Sequence, residues 1–400
     1  MKVGVISIYW PPHFGGAEKY VHSMVDSLVN KGVDAWGITA TPAREDRDSG
    51  IEFVHRIGVE THCWDKKGCE RWFEQVVAHV NDESYTHVLI NSPLTRTYYL
   101  FCEKLFRGLR SSNHALKIGV VHHDLGLRSR GILERFKFER GDWESAAQYF
   151  EEELRLFHDS KSALFTKQDG YMAFDSPLFF DPDFVVGNTE WSNRFINPMK
   201  STPHYVLHPI IEPLDGPKSD KLKRVNITFL NPLFHKGRSY MADFINDYSH
   251  EWTFRVLLGS YGGQKQEFIR MIKDSWAVRD GRVDIVDYVE DIIDAYDATD
   301  LFLFPSRYEG YGMAAVEPMF RGVPVIVQDY PAIIEAVGDA AIVMPYEIGS
   351  LSWIETVEDL LEYGVDMELF KEKGLERSVF LLKRQEDEVD GLIAFLGGLE

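Results

Sequence analysis

Along this chain, short apolar runs alternate with longer stretches whose apolar positions recur at helical spacing. The run "KVGVISIYW" is followed by "AEKYVHSMVDSLVNKG" and then "DAWGITA"; further on come "THVLINS", the helix-patterned "YYLFCEKLFRGLR" and "LKIGVVHHD". Short runs rich in β-branched residues and bounded by turn signals read as buried strands, and their alternation with helices implies a parallel sheet covered by helices. "DFVVGNTEWSNRFI" adds a strand and a helix start. The stretch 209–221, "PIIEPLDGPKSDK", carries three prolines and charged residues and reads as an interdomain linker. After it the rhythm restarts with "VNITFLNP", "TFRVLLGS", "RVDIVDYV", "DLFLFPS", "VPVIVQD" and "AAIVMP". The pattern predicts an α/β chain of two Rossmann-like domains, 1–210 and 211–375. A mostly helical C-terminal tail at 376–400 could pack on either domain, the N-terminal one included.

Composition agrees with that division. Four hundred residues, 44% of them apolar and 13% aromatic, exceed what one hydrophobic core usually organises and exclude a disordered chain. A formal charge of −20 argues against whole-surface binding to nucleic acid or acidic lipid. Cys63, Cys69 and Cys102 form neither an even disulfide framework nor a CxxC pair, which points to a reducing, cytoplasmic setting. The N-terminal "MKVGVISIYWPP" turns at once into Pro-Pro and a glycine-rich loop, so it reads as a strand and not a signal peptide. No stretch reaches the roughly 18 uninterrupted apolar residues of a membrane span, so any membrane contact is expected to be peripheral.

Ligands of parallel sheets gather at strand-to-helix turns, and one turn is unusual: "PSRYEGYGMAAVEPMFRGVPVIV" at 305–327. Pro318 has no N–H and is comfortable only in the first turn of a helix, which puts the helix start near Ala315. The backbone N–H groups around Gly312, Met313 and Ala314 then suit an anionic phosphate, and Gly310 and Gly312 let the backbone approach it closely. Glu309 and Glu317 on either side would accept hydrogen bonds from hydroxyl groups, as expected for a ligand with hydroxylated parts flanking a phosphate. Solvated caps at a helix start remain the plainer reading of both acids.

With its two glutamates separated by seven residues, this stretch resembles the donor-binding signature of the retaining, two-Rossmann-domain (GT-B) glycosyltransferases of family 4. "DYPAIIEAVGDAAIVM" is similar to that family's next loop, "PPHFGGAEKYV" to its first glycine-rich loop, "VVHHD" to its His-Asp strand end, and "LNPLFHKG" to its diphosphate-binding lysine segment. The resemblance implies two domains facing a central cleft, with Glu309 on the transferred hexose, Tyr311, Gly312 and Met313 offering backbone contacts, and Glu317 holding the ribose hydroxyls. Lys236 would neutralise the departing diphosphate, since a fixed cation lowers the barrier where negative charge grows. Where the family often has an arginine, this chain has Asn231, and Arg238 is the candidate to compensate. Tyr288 is a candidate neighbour of the base by position.

In the N-terminal half, Gly15 and Gly16 lie at a β-to-α turn where bare backbone can meet phosphate or acceptor, and the spacing is not the GxGxxG of dinucleotide binders. His123 follows a strand, with Asp124 placed to orient it; the resemblance puts such a histidine near the donor sugar and diphosphate. His122 should face the other way. No side chain reads as a covalent nucleophile and no DxD metal motif is apparent in a suitable turn, so the expected reaction is metal-independent and cofactor-free. The donor would be a nucleotide diphosphate sugar such as UDP- or GDP-hexose, and the partner an acceptor hydroxyl. Residues 96–140 hold ten Lys or Arg against four acids, interleaved with apolar residues, which could dock on an anionic membrane or hold an anionic acceptor; a solvated face balanced by the acidic run downstream is the alternative. A phosphorylase or sucrose-synthase-like enzyme, or a sensor that binds without turnover, would fit the same architecture.

Overall fold

The computed structural model describes residues 1–10, 16–40, 53–57, 66–91, 105–123, 127–158, 182–195, 202–214, 225–247, 252–259, 262–287, 289, 292–346, 349–362 and 367–399. The chain divides into two compact units, Met1–Ile210 with Gln385–Glu400, and Ile211–Arg384.

The first unit is built on a parallel sheet of β1 (Lys2–Ile6), β2 (Asp34–Thr39), β3 (Val54–Arg56), β4 (His87–Asn91), β5 (Lys117–His122), β6 (Phe184–Gly187) and β7 (His204–Val206), in the order β3-β2-β1-β4-β5-β6-β7. Val3 of β1 lies opposite Ala35 of β2 and His87 of β4. Successive residues of β4 serve opposite faces, as strand geometry requires. Leu89 packs with Val21, Leu28 and Leu392, whereas Val88 and Ile90 pack with Trp72, Val76 and Leu109. β3 and β7 are not among the strands that the pattern predicts. Both are three-residue edge strands, "VHR" and "HYV", partly exposed and therefore without an apolar run to announce them.

In the second unit the sheet comprises β8 (Asn226–Leu230), β9 (Thr253–Leu257), β10 (Val283–Val286), β11 (Leu301–Phe304), β12 (Val325–Gln328) and β13 (Ile342–Met344), all parallel, in the order β10-β9-β8-β11-β12-β13. Ile227, Leu301, Leu303 and Ile326 pack on one face against Met241, Phe244, Trp353 and Val357 of two helices, Arg238–Asp247 and Ser350–Glu362. Each sheet reverses its strand order once, between β1 and β4 and between β8 and β11. In open parallel sheets, ligands gather at such reversal points.

The last helix, Met367–Gly397, runs unbroken for 31 residues, but its contacts change hands at Arg384 and Gln385, inside the stretch that the sequence treats as one tail from 376. In the first unit it is held by specific bonds. Glu388 accepts from the His208 backbone N–H at 2.9 Å and meets the His208 ring at 2.7 Å, Tyr205 donates to the Glu388 carbonyl, and Lys31 pairs with Asp390 at 2.7 Å. Among the described residues no helix is long and apolar enough to cross a membrane.

Candidate active site

In the second unit the reversal point falls between the loop after β8 and the loop after β11. Asn231 follows β8 in the left-handed region (φ 56°) and donates its N–H to the Leu257 carbonyl at 2.6 Å, which turns the chain into a single 3-10 turn, Phe234–Lys236. Gly237 closes that turn at φ 80° and presses on the neighbouring loop, since a Cβ there would lie 2.2 Å from the Pro305 carbonyl oxygen. A backbone hydrogen bond from Arg307 N–H to the His235 carbonyl, 2.9 Å, ties the same two loops. Held this way, the Lys236 ammonium forms an ion pair with Glu309 Oε1, and the fully buried Ser306 hydroxyl donates to that same oxygen at 2.6 Å. The carboxylate is only 11% exposed, where a charge-assisted bond is stronger than in open water.

Beyond Glu309, Gly312 adopts φ 95° and opens one α-helical turn, Met313–Val316, which passes into a 3-10 turn at Glu317–Arg321. The helix expected near Ala315 thus begins at Met313, and its α character ends where Pro318 has no N–H to continue the ladder. Glu317 Oε2 accepts a hydrogen bond from Tyr296 Oη at 2.9 Å. The Tyr311 ring is buried and its hydroxyl accepts from Arg384 at 2.6 Å, so toward a ligand this residue offers backbone. Arg238, the residue considered as a substitute cation, donates to Glu267 at 2.6 Å. The Asn231 side-chain oxygen is buried beside Gly259.

At the first unit's reversal point a polar chain crosses the strand ends. Asn91, last in β4, donates its amide N–H to the Ser7 hydroxyl just after β1 at 2.9 Å, leaving its oxygen to accept from His123 Nε2 at 2.5 Å. His123 is buried, its ring edge-on to Tyr20 with centroids 5.1 Å apart, and burial pulls its pKa down to about 4. It is therefore a neutral imidazole near pH 7, with its Nε2 proton committed to Asn91 and Nδ1 as an acceptor. Gly16 is the exposed first residue of the helix Gly16–Asn30. Gly15, Asp124, Tyr288, Cys63 and Cys102 lie outside the described residues, as do 96–104 of the basic segment and 215–221 of the linker. Within the rest of that segment, on the helix Leu127–Arg140, Phe138 is exposed, Arg140 stacks on Tyr149 at 4.5 Å, and Arg135 pairs with Glu139 at 3.6 Å. Glu151 of the acidic run pairs with Arg194. Among the described residues no three His, Cys, Asp or Glu side chains group as a metal site.

Four residues here escape sequence reasoning: Ser306, Tyr296, Asn91 and Ser7. Ser306 had a signal, standing three residues before Glu309 in the same turn, whereas Asn91 ends β4, Ser7 follows β1, and the two meet only because β1 and β4 are neighbours. Tyr296 carries no local mark.

Two Rossmann-like units, each built on a parallel sheet with one reversal of strand order, define the class by fold: a two-domain α/β protein of the GT-B fold. Within the second unit, residues 226–363 match the family model described as "Glycosyl transferases group 1". O-antigen chain mannosyltransferase B of Escherichia coli is 31% identical over 102 residues, 25% of this chain and 26% of that protein, so the match spans about a quarter of the relative. Mannosylfructose-phosphate synthase of Agrobacterium fabrum is 44% identical over 48 residues, 12% of this chain and 11% of that protein. Among solved structures, sucrose-phosphate synthase from Thermosynechococcus elongatus aligns over 100% of both chains with a TM-score of 0.70 at 14% identity. HepE of Anabaena, in complex with UDP-glucose, aligns over 98% of this chain and 100% of that chain with a TM-score of 0.64 at 14% identity.

Proposed function

We propose that this protein transfers a hexose from a nucleotide diphosphate sugar to an acceptor hydroxyl, with retention of configuration and without a metal. The observation that carries the reading is the convergence of Lys236, Ser306 and Glu309 at the second unit's reversal point, with Glu317 one short turn further on. In this reading the bond from the anomeric carbon to the diphosphate oxygen breaks while a bond to the acceptor oxygen forms on the same face of the sugar. The acceptor proton passes to the departing diphosphate. Lys236 meets the negative charge that grows there, and the first N–H groups of the turn at Met313 serve the same oxygens. Glu309, oriented by Ser306, contacts the hexose, and Glu317 the ribose. His123, neutral and buried in the first unit, would serve as a hydrogen-bond acceptor there and not as a cation.

The names of the matched relatives point to a mannosyl group as the first donor to try, and the HepE complex to UDP-glucose as the second. The exposed Arg135, Phe138 and Arg140 would meet an anionic acceptor or an anionic lipid surface. The test is a thermal-shift and hydrolysis panel over GDP-mannose, UDP-glucose, ADP-glucose and dTDP-glucose, each with and without inorganic phosphate. Stabilisation by one donor together with its slow hydrolysis, both abolished in Glu317→Ala, supports transfer. Stabilisation without turnover in the presence of acceptor extracts would identify a sensor, strict dependence on phosphate a phosphorylase, and no response to any donor would overturn the reading.

A further inference from the structure

We propose that Tyr296 is a positioning residue that aims the Glu317 carboxylate at the ribose of the donor, and so makes this site selective for ribonucleoside over 2′-deoxyribonucleoside diphosphates. The inference rests on the nucleotide-sugar reading above, with Glu317 on the ribose, and adds the residue that positions that acid and the selectivity that follows. Tyr296 belongs to the helix Ile292–Asp297, is fully buried, and reaches across 21 residues of sequence to donate its phenolic hydrogen to Glu317 Oε2 at 2.9 Å. Its ring is fixed edge-on against Phe302, with centroids 5.8 Å apart at 77°. Burial, reinforced by the negative charge of Glu317, raises its pKa well above the usual tyrosine value, so the hydroxyl remains a donor throughout the working pH range.

The next residue anchors the frame. Asp297 grips Arg321 through two bonds, Nε to Oδ1 at 2.7 Å and Nη2 to Oδ2 at 2.8 Å, both side chains almost wholly buried, and Arg321 Nη1 also donates to the Leu214 carbonyl at 2.8 Å. Helix 292–297 and the turn 317–321 are therefore tied twice. The Asp297–Arg321 pair sets the backbones, and the Tyr296–Glu317 bond sets the carboxylate. An ionised carboxylate only accepts, and with one lone-pair direction on Oε2 occupied by a phenol its remaining acceptor directions are oriented as a set. A 2′,3′-diol supplies two O–H donors to such a set; a 2′-deoxyribose supplies one. Buried polar sites built for a hydroxyl discriminate against the analogue that lacks it.

Calorimetric titration of the whole chain with UDP, GDP and ADP, and with dUDP, dGDP and dADP, tests this in wild type, Tyr296→Phe, Glu317→Gln and the double variant. The expected result is that the best ribonucleotide binds about tenfold more tightly than its 2′-deoxy counterpart, as one charge-assisted hydrogen bond predicts. Tyr296→Phe should remove most of that ratio by weakening the ribonucleotide alone, with 2′-deoxy affinity within about twofold of wild type. In Glu317→Gln the ratio should vanish, and adding Tyr296→Phe should change it no further, since the tyrosine acts through the acid. Equal weakening of both nucleotide series by Tyr296→Phe would assign it a merely structural role, and a wild type that binds without ribose preference would overturn the inference while leaving the donor reading intact. A wild type that binds none of the six would overturn the donor reading and this inference with it.

Discussion

Gly237 lies so close to Pro305 that a Cβ on it would sit 2.2 Å from the Pro305 carbonyl oxygen. Because that oxygen is backbone, it cannot swing aside, and the φ of 80° penalises any side chain independently. Gly237→Ala should cost about 1–3 kcal/mol of stability in the second unit and separate the Lys236 turn from Glu309. Urea unfolding and donor hydrolysis together check it. Full activity with an unchanged midpoint would show that the loops do not depend on this contact.

Ser306 and Lys236 bind the same oxygen of Glu309, but their roles predict different losses. On the proposed reading, in which Lys236 faces the leaving group, Lys236→Met should lower turnover about 10²- to 10³-fold. Ser306→Ala removes one hydrogen bond that orients the acid and should lower kcat about tenfold with little change in KM. Steady-state kinetics with the donor found by the panel decides between these patterns. Equal effects on kcat and KM for Ser306→Ala would mean that it supports binding generally.

The buried pair Asp297–Arg321 predicts a characteristic inequality. Asp297→Ala leaves the Arg321 guanidinium buried without its carboxylate and should cost about 3–5 kcal/mol, whereas Asp297→Leu combined with Arg321→Met should cost markedly less. Denaturant melts of the single and double variants measure the difference. A double variant that loses as much as the sum of the singles would contradict the argument.

His123 makes stability depend on pH with a definite sign. In the fold its pKa is about 4, in the unfolded chain about 6.5, so between those values the unfolded state binds the extra proton. Stability is fully present above about pH 6.5, falls as the pH drops toward about 4, and levels off below that, with a total on the order of 3 kcal/mol. His55 and His79, packed ring against ring at 4.5 Å and both lowered chiefly by burial, add to the same trend. His123→Gln should flatten the part of the curve that belongs to this site, read as melting temperature against pH. An unaltered slope would show that the buried ring does not titrate as argued.

The strands that carry the site were legible because both faces of a central parallel strand are buried, so β1, β4, β5, β8, β11 and β12 each appear as an apolar run. Edge strands β3 and β7 lack that condition and were not. The two glutamates, the lysine and the glycine turns could be read locally, since each lies within a few residues of a strand end. What the helix at 313 does after four residues could be read only in part. Pro318 marks an interruption, but the 3-10 turn that follows and the Arg321–Asp297 bond at its end are visible only in the fold.

By itself the sequence determined the alternation of strands and helices, the presence of two α/β units and the tight turns at the strand ends, because these follow from local periodicity and from the conformational limits of glycine and proline. Tertiary structure decided which side chains meet. Lys236 and Glu309 are 73 residues apart and meet when β8 and β11 become neighbours, whereas Tyr296 and Glu317, 21 apart, meet when the helix before β11 packs on the turn after it. The division of one long helix between two units was settled in the same way, by Glu388 finding His208 and Arg384 finding Tyr311. Contacts of that range depend on strand order and on how the helices pack, which no local pattern encodes.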